Sequence, residues 1–213
     1  MALKAGIVGL PNVGKSTLFN AVSINAKAQA SNYRFCTIEP NVGLVDVPDE
    51  RLNKLAELVI PDRIVPTQME IVDIAGLVKG ASKGEGLGNQ FLGNIRATDA
   101  IIHVLRCFED DNVIHVDGNV NPVRDKEVID TELQLKDLES VEKKLSKSEK
   151  LSKSSDREIL RGIEVLRALK DHLDQGKNAR AFEISDDEKE KYINDMFLLT
   201  IKPVIYVCNV DEK

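Results

Sequence analysis

Short apolar runs and helical patterns alternate along the chain. Five runs rich in Val, Ile and Leu predict strands at residues 3–9, 42–47, 69–74, 101–106 and 203–208. Helical patterns predict three helices at residues 15–25, 50–59 and 89–97. Several of the strands are almost continuously apolar, which is typical of strands covered on both faces. The alternation predicts an α/β fold with a mostly parallel sheet flanked by helices.

Residues 124–195 follow a different pattern, in which nearly every second residue is charged. A first apolar stripe at helical spacing consists of Leu138, Val141 and Leu145. A second stripe consists of Ile159, Ile163, Leu166, Leu169 and Leu173. The polar stretch 146–155 lies between the stripes and predicts a turn, so the two helices should form an antiparallel hairpin. A solvated arm and a partner-binding element have the same pattern, and both readings stay open.

A third, short helix is predicted after the hairpin. Ser185 and Glu188 have the spacing of a capping box, with Ser185 as the N-cap residue. We therefore expect residues 124–195 to form an inserted helical arm. The α/β domain then consists of residues 1–123 and 196–213.

Composition limits the class of protein. Of the 213 residues, 42% are hydrophobic, which is enough for the core of one domain with a sizeable insertion. No apolar run approaches the roughly 18 residues of a membrane span, and the N-terminus lacks a signal-peptide pattern. Three widely spaced cysteines indicate the reducing cytoplasm and argue against a disulfide framework or a structural zinc site. With a net charge of −6, direct DNA binding is not expected.

A phosphate-binding motif lies between the first predicted strand and the first predicted helix. Residues 9–17 read Gly-Leu-Pro-Asn-Val-Gly-Lys-Ser-Thr and match G-x-x-x-x-G-K-[ST]. The glycines let consecutive backbone N–H groups converge on phosphate oxygens, and the helix N-terminus adds a positive dipole. Lys15 is placed to reach the terminal phosphates, and the Ser16 hydroxyl is placed to ligate Mg²⁺. The motif therefore predicts a nucleoside triphosphate site.

Two candidate switch segments accompany this motif. Asp73 and Gly76 form a D-x-x-G at the end of the third predicted strand, where Asp73 can hold Mg²⁺ through water and the Gly76 N–H can meet a γ-phosphate. Residues 76–88 contain five glycines, which predicts a mobile loop that the γ-phosphate orders. Thr37, ahead of the second predicted strand, is the candidate residue of a first switch that closes over Mg²⁺.

These residues together resemble the P-loop GTPase superclass, and specifically the YchF or Obg-like ATPase family. The resemblance is carried by residues 9–20, 32–43, 73–91 and 209–212. Its most specific part is Asp-Ile-Ala-Gly-Leu-Val-Lys-Gly-Ala-Ser-Lys-Gly-Glu-Gly-Leu-Gly-Asn at residues 73–89. Arg34 is a departure, because the family favours proline at that position. The resemblance implies a P-loop NTPase fold with an inserted helical hairpin, weak nucleotide hydrolysis, and the ribosome or its associated factors as partner.

The base-recognition motif differs from that of guanine-specific G proteins. Those proteins use N-K-x-D, whose aspartate accepts hydrogen bonds from N1–H and N2–H₂ of guanine. The matching residues here are Asn209, Val210, Asp211 and Glu212. Valine replaces the lysine, and Glu212 carries its carboxylate one methylene further out, which displaces it from the guanine edge. The resemblance implies that ATP is preferred over GTP, and the missing N-K-x-D agrees with that preference.

The motifs and the resemblance together select the site residues. The expected nucleotide contacts are Asn12, Val13, Gly14, Lys15, Ser16, Thr17, Gly76, Asn209 and Glu212. The expected metal ligands are Ser16, Thr37 and, through water, Asp73. Lys15 is also expected to act on the phosphates during catalysis.

The means of hydrolysis is less clearly marked. Leu77 follows the D-x-x-G, where Ras-like proteins place the glutamine that orients the attacking water, so unaided hydrolysis should be slow. His115, in the polar loop 108–122, is one candidate for orienting water, and a structural role in that loop is the alternative. Asn12 occupies the position where several relatives without the glutamine hold a K⁺ ion, which is a second candidate.

Two other functions stay open. A small-molecule kinase would use the same phosphate loop, although residues 76–91 contain no arginine for a phosphate-clamping lid. A nucleotide-binding module without turnover is also compatible with Leu77. Because the chain stops directly after the base-recognition motif, we expect a piece of a longer protein whose relatives carry a further C-terminal domain.

Overall fold

The computed structural model describes residues 2–23, 40–74, 76, 80, 87–151 and 157–212. The strands described are β1 (Lys4–Val8), β2 (Asn41–Asp46), β3 (Gln68–Asp73), β4 (Ala100–Arg106) and β5 (Val204–Asn209). The α-helices described are α1 (Lys15–Val22), α2 (Glu50–Val59), α3 (Leu87–Arg96), α4 (Pro122–Leu151), α5 (Arg157–Asp174) and α6 (Asp186–Tyr192). Short 3₁₀ helices span Ala179–Ala181 and Asn194–Met196. All five predicted strands and the three predicted α/β-domain helices are confirmed.

The strands form one sheet in the order β2-β3-β1-β4-β5. β1 pairs in parallel with β3 and β4, and β4 pairs in parallel with β5. β2 is antiparallel to β3 and forms one edge, so the predicted mostly parallel sheet is confirmed. The carboxyl ends of the four parallel strands therefore meet at one edge of the sheet, which is where ligands bind in folds of this kind.

Two apolar clusters hold the described residues together. The first covers the sheet, and its fully buried members include Ile7, Ile74 and Ile95. Ile129 and Leu133 belong to this cluster as well, so the first turns of α4 are part of the sheet core. The second cluster lies mainly within the arm and consists mainly of Val141, Val165, Leu166, Leu169, Leu173 and Ile193, with Leu198 from the segment that follows the arm. The single helix α4 thus runs from one core into the other.

The arm contains the predicted antiparallel hairpin, but the predicted turn begins too early. Helix α4 continues to Leu151, so residues 146–151 are helical rather than part of a turn. Lysine, glutamate and leucine in this stretch are good helix formers, and Glu149 pairs with Arg167 of α5 at 2.7 Å. Residues 152–156 lie outside the described residues. None of the helices that the structure describes is long and apolar enough to cross a membrane.

Side-chain hydrogen bonds cap one helix of the arm and hold another against the segment that leads into β5. Ser185 caps α6 as predicted, because its Oγ accepts a hydrogen bond from the Glu188 N–H at 3.3 Å. Asp137 of α4 is completely buried and accepts hydrogen bonds from the N–H groups of Leu199 and Thr200, both at 2.7 Å. The Thr200 hydroxyl also donates to Asp137, at 2.6 Å. Asp137 therefore holds α4 against the segment that leads into β5.

Candidate functional site

The loop 9–14 joins the carboxyl end of β1 to the N-terminus of α1. Gly14 is the N-cap residue with φ of 97°, a left-handed conformation that explains the glycine, and because glycine has no side chain it provides no side-chain cap. The first N–H groups of α1 are therefore open to an external acceptor. At Gly9 the reason for glycine is space, because a Cβ would lie 2.6 Å from the Val104 carbonyl oxygen. This loop has the geometry of an anion site.

Lys15 brings a positive charge to this helix N-terminus. The side chain is buried, and its Nζ donates a hydrogen bond to the Leu10 carbonyl oxygen at 2.7 Å. Burial lowers the pKa of Lys15 to about 8, and the charge of Asp73 opposes that shift. The ammonium is therefore folded onto its own loop and poorly solvated, so it gains a stronger partner when an anion arrives.

Ser16 and Asp73 lie in contact although they are far apart in sequence. Asp73 ends β3 beside Ile7 of β1, which brings the D-x-x-G next to the phosphate loop. The Ser16 hydroxyl donates to Asp73 Oδ2 at 2.9 Å. Hydroxyl and carboxylate oxygens are ligands that Mg²⁺ prefers. Thr17, the next residue after Ser16, is exposed. Thr37, the third expected ligand, lies outside the described residues.

Gly76 packs directly against the phosphate loop. A Cβ built on Gly76 would lie 3.1 Å from the Pro11 nitrogen and 3.2 Å from Lys15 Nζ. Both distances are shorter than ordinary van der Waals contact, so a side chain here would require its neighbours to shift. The D-x-x-G segment therefore touches the same lysine that the phosphate motif provides.

The end of β5 contacts the phosphate loop at Val13 and Gly14. Asn209 Nδ2 donates to the Val13 carbonyl oxygen at 3.1 Å, while the Val13 side chain itself is buried in the core. A Cβ on Gly14 would lie 2.4 Å from Asn209 Nδ2, so the two residues are tightly packed. Glu212 follows on the surface and is exposed. The end of β5 and the phosphate loop are thus packed together.

Asn12 connects the phosphate loop to the loop that follows β4. Its backbone is left-handed with φ of 62°, which asparagine tolerates better than most residues. Its Nδ2 donates to the Ile114 carbonyl oxygen at 3.0 Å. Because a carbonyl only accepts hydrogen bonds, the amide nitrogen must face Ile114, and Oδ1 must point away. The contact therefore fixes the orientation of the Asn12 amide.

His115 is buried next to this contact. Its Nε2 lies 2.9 Å from Asp125 Oδ2, and the Asp117 N–H donates to its Nδ1 at 3.1 Å. Since Nδ1 accepts a hydrogen bond, the ring proton lies on Nε2 and is donated to Asp125. Both ring nitrogens are thus engaged within the protein, one residue away from the Ile114 carbonyl that holds the phosphate loop.

Two buried charged residues that the sequence patterns did not single out lie close to this region. Arg106 ends β4 and is only 2% exposed. Its guanidinium donates to the carbonyl oxygens of Phe108 at 3.1 Å, Asp110 at 3.2 Å and Val113 at 2.8 Å. These bonds shape the loop that contains Ile114. An arginine at the end of an apolar strand is the sequence signal that could have indicated this structural role.

Glu132 of α4 accepts a hydrogen bond from the Gly80 N–H at 2.6 Å. No local sequence pattern predicts this pair.

A mostly parallel sheet with a lysine-bearing phosphate loop after β1 and a D-x-x-G after β3 defines a P-loop NTPase with the GTPase type of fold. A family model described as 50S ribosome-binding GTPase matches residues 4–151. The chain is 56% identical to the ribosome-binding ATPase YchF of Bacillus subtilis (strain 168) and 55% identical to that of Escherichia coli O157:H7, each over 212 residues. The chain belongs to the YchF family.

The matches cover this chain almost completely but only part of each relative. All of the chain aligns with the Bacillus subtilis and Escherichia coli proteins, of which it covers 57% and 58%. The structure of the Schizosaccharomyces pombe YchF GTPase superimposes with a TM-score of 0.80 and 42% identity, over 99% of this chain and 57% of that one. The chain therefore spans less than two thirds of the length of these relatives.

Proposed function

We propose that the chain is the nucleotide-binding part of a molecular switch that binds ATP in preference to GTP and hydrolyses it slowly. The observation that carries this proposal is the loop 9–14 with the buried ammonium of Lys15 at the N-terminus of α1. Open N–H groups, the helix dipole and a cation converge on one point, as a chain of phosphates requires. The relatives named as ribosome-binding ATPases support ATP as the nucleotide.

Magnesium fits the oxygen ligands of this site. The Ser16 hydroxyl and the Asp73 carboxylate are hard donors 2.9 Å apart, and no thiol or imidazole in the described residues competes with them there. We propose that Ser16 ligates Mg²⁺ directly and that Asp73 holds it through water, with Thr37 as a further ligand. When bound, Mg²⁺ would offset the negative charge on the phosphate oxygens.

The nucleotide base is assigned to the end of β5. Asn209 is held against the phosphate loop by the hydrogen bond from its Nδ2 to the Val13 carbonyl oxygen, which supports a base site at the end of β5. Glu212 offers a carboxylate that is displaced from the position guanine needs. Together with the names of the relatives, this supports a preference for ATP over GTP.

His115 remains the candidate for orienting the attacking water. The loop that carries it contacts the phosphate loop through Ile114 and Asn12, which supports the assignment. Its hydrogen bonds with Asp125 and Asp117 mean that the ring must leave Asp125 before it can act on water. A purely structural role for His115 in folding this loop is the alternative.

Asn12 is the candidate ligand for K⁺. Its Nδ2 faces the Ile114 carbonyl, so its Oδ1, the atom a cation needs, points away from that contact. A cation held there would supply positive charge near the phosphates, in a site that has no glutamine after the D-x-x-G. Arg106 supports this orientation indirectly, because it shapes the loop that ends at Ile114.

The ribosome or a ribosome-associated factor is the proposed partner. The proposal follows from the names of the relatives, and it is a proposal because the chain spans only part of their length. A cytoplasmic location follows from that partner. The helical arm, with its exposed charged face, is one surface available for contact.

Phosphate release tests this function. The purified chain should release phosphate slowly from Mg²⁺-ATP, more slowly still from GTP, and faster when ribosomes are added.

His115→Ala should lower the rate about tenfold or more if the histidine orients water, and replacing K⁺ by Na⁺ should lower the rate if Asn12 holds a cation. A wild-type rate in His115→Ala would reject the histidine, and an unchanged rate in Na⁺ would reject the cation. Bound ATP with no release at all would favour a module without turnover.

A further inference from the structure

Three large apolar side chains are exposed to solvent around the buried contact between His115 and Asp125. Ile114 and Val116, on either side of His115 in the chain, are 78% and 54% exposed. Val123, two residues before Asp125, is 66% exposed. Single exposed apolar residues are common on protein surfaces, whereas several around one buried contact indicate a binding surface. These three residues therefore form an apolar patch over the histidine.

The patch is held in shape from inside the protein. The Arg106 guanidinium donates to three carbonyl oxygens of the loop 107–121, including that of Val113 next to Ile114. The Ile114 carbonyl oxygen accepts the hydrogen bond from Asn12 of the phosphate loop. A surface that is already ordered loses little conformational entropy when a partner binds. The apolar patch is therefore preorganised for binding, and its backbone contacts the nucleotide site.

The loop that carries most of the patch is acidic. Residues 107–121 contain no lysine or arginine, and their acidic residues are Glu109, Asp110, Asp111 and Asp117. Glu109 and Asp111 are exposed, and neither forms an ion pair within the part of the chain that the structure describes. A negative surface repels the phosphates of nucleic acids and of lipid headgroups, and it attracts lysine and arginine side chains. The charge of the loop therefore favours a basic protein as the partner.

We propose that the apolar patch, together with Glu109 and Asp111, binds a basic protein of the ribosome. The inference rests on the proposed function, since it names the chemistry of the partner proposed there. Lysine or arginine side chains of that protein face the two carboxylates, and its apolar side chains cover the patch. Because His115 lies between Ile114 and Val116 in the chain, the contact acts on the loop that carries the candidate for orienting water. Ribosomes thereby accelerate phosphate release through this loop.

Sedimentation with purified ribosomes tests the charge of the surface. Glu109→Lys together with Asp111→Lys should weaken ribosome binding about tenfold or more, because lysines would then face a basic partner. Glu57→Lys together with Asp62→Lys is the matched control, since both carboxylates are exposed and lie away from this loop in the chain. The control should bind ribosomes within about twofold of wild type. Tighter binding by the first variant would indicate ribosomal RNA as the partner and would overturn the proposal.

Phosphate release tests the apolar contacts. Val116→Ser together with Val123→Ser removes exposed apolar area and should lower the acceleration by ribosomes about tenfold or more. The rate without ribosomes should stay within about twofold of wild type, because neither residue belongs to the proposed nucleotide site. A fall in the basal rate as large as the fall in the accelerated rate would overturn the role of the patch in docking.

A photoreactive p-benzoylphenylalanine placed at Val116 identifies what covers the patch. Irradiation with ribosomes should attach a second protein, and ribonuclease should leave the mass of the adduct unchanged. An adduct with RNA, or with a second copy of this chain, rejects the basic protein. Unchanged ribosome binding by the Glu109→Lys and Asp111→Lys variant overturns the surface and leaves the proposed partner intact. If the wild-type chain does not bind ribosomes, the proposed partner fails and the surface fails with it.

Discussion

At the scale of single residues, Lys15 has the most informative environment. Its ammonium is buried and bonded to a neutral carbonyl oxygen, and this burial lowers its pKa to about 8. A phosphate group would replace that neutral partner by an anion, which favours the charged form. The pKa of Lys15 should therefore rise when nucleotide binds, and protein with bound nucleotide should hold more protons than free protein above pH 8.

This linkage predicts the pH dependence of nucleotide affinity. Since the bound form takes up a proton that the free form has lost, affinity should fall as pH rises through about 8. Calorimetric titration at about pH 8.5 in two buffers of different ionisation enthalpy measures the proton uptake directly. Lys15→Arg is the control, because guanidinium stays charged throughout this range and should show no uptake. Proton release, or no exchange in wild type, would contradict the assignment.

The residues differ in how far sequence reasoning could place them. Lys15, Ser16 and Asp73 were predictable, because each occupies a motif position that has a defined chemical role. The two motifs follow β1 and β3, and the ends of parallel strands lie close together. The burial of His115 against Asp125 was not, since it depends on the path of a loop that Arg106 shapes from inside. The contact between Gly80 and Glu132 joins residues 52 positions apart, and no local pattern encodes such a pairing.

At the scale of helices and strands, Asp137 links helix α4 of the arm to the segment that leads into β5. It is fully buried and accepts hydrogen bonds from two backbone N–H groups and one hydroxyl of the 199–200 segment. Because β5 follows that segment and ends at Asn209, the link also supports the back of the nucleotide site. Removing the carboxylate would leave buried donors without an acceptor.

Asp137→Ala should therefore lower the free energy of unfolding by about 3 to 5 kcal/mol. Urea denaturation followed by circular dichroism measures the change. Asp171→Ala, an exposed aspartate on α5, is the matched control and should change stability by less than about 0.5 kcal/mol. Equal stability in the two variants would show that α4 is held to the 199–200 segment by packing alone.

The elements were predicted more reliably than their ends. Every strand was marked by an apolar run between turn signals, and the arm helices by stripes of leucine and isoleucine. The predicted turn of the hairpin began too early. The serines and lysines of residues 146–151 are as polar as a turn, but the lysines, glutamate and leucine there are also good helix formers, and the helix continues. The ion pair between Glu149 and Arg167 lies on this last part of α4, and it could not be predicted without the tertiary structure.

At the scale of the whole molecule, one helix joins the two cores. Ile129 and Leu133 of α4 pack on the sheet, while Val141 of the same helix packs in the arm. The arm is therefore attached by a continuous helix rather than by a flexible linker. The mostly parallel sheet agrees with the prediction, since strands that alternate with helices favour parallel pairing. The boundary of the arm at residue 124 stays a prediction.

The central claim is that the loop 9–14 and Lys15 bind the phosphates of the nucleotide, and that the end of β5 favours the base of ATP over that of GTP. Calorimetric titration of the chain with ATP and with GTP in the presence of Mg²⁺ tests it most directly, with Lys15→Ala measured alongside. We expect tighter binding of ATP than of GTP, and a loss of at least about a hundredfold in Lys15→Ala, because the ammonium supplies charge-assisted hydrogen bonds to the phosphates. Tighter binding of GTP, or wild-type affinity in Lys15→Ala, would contradict it.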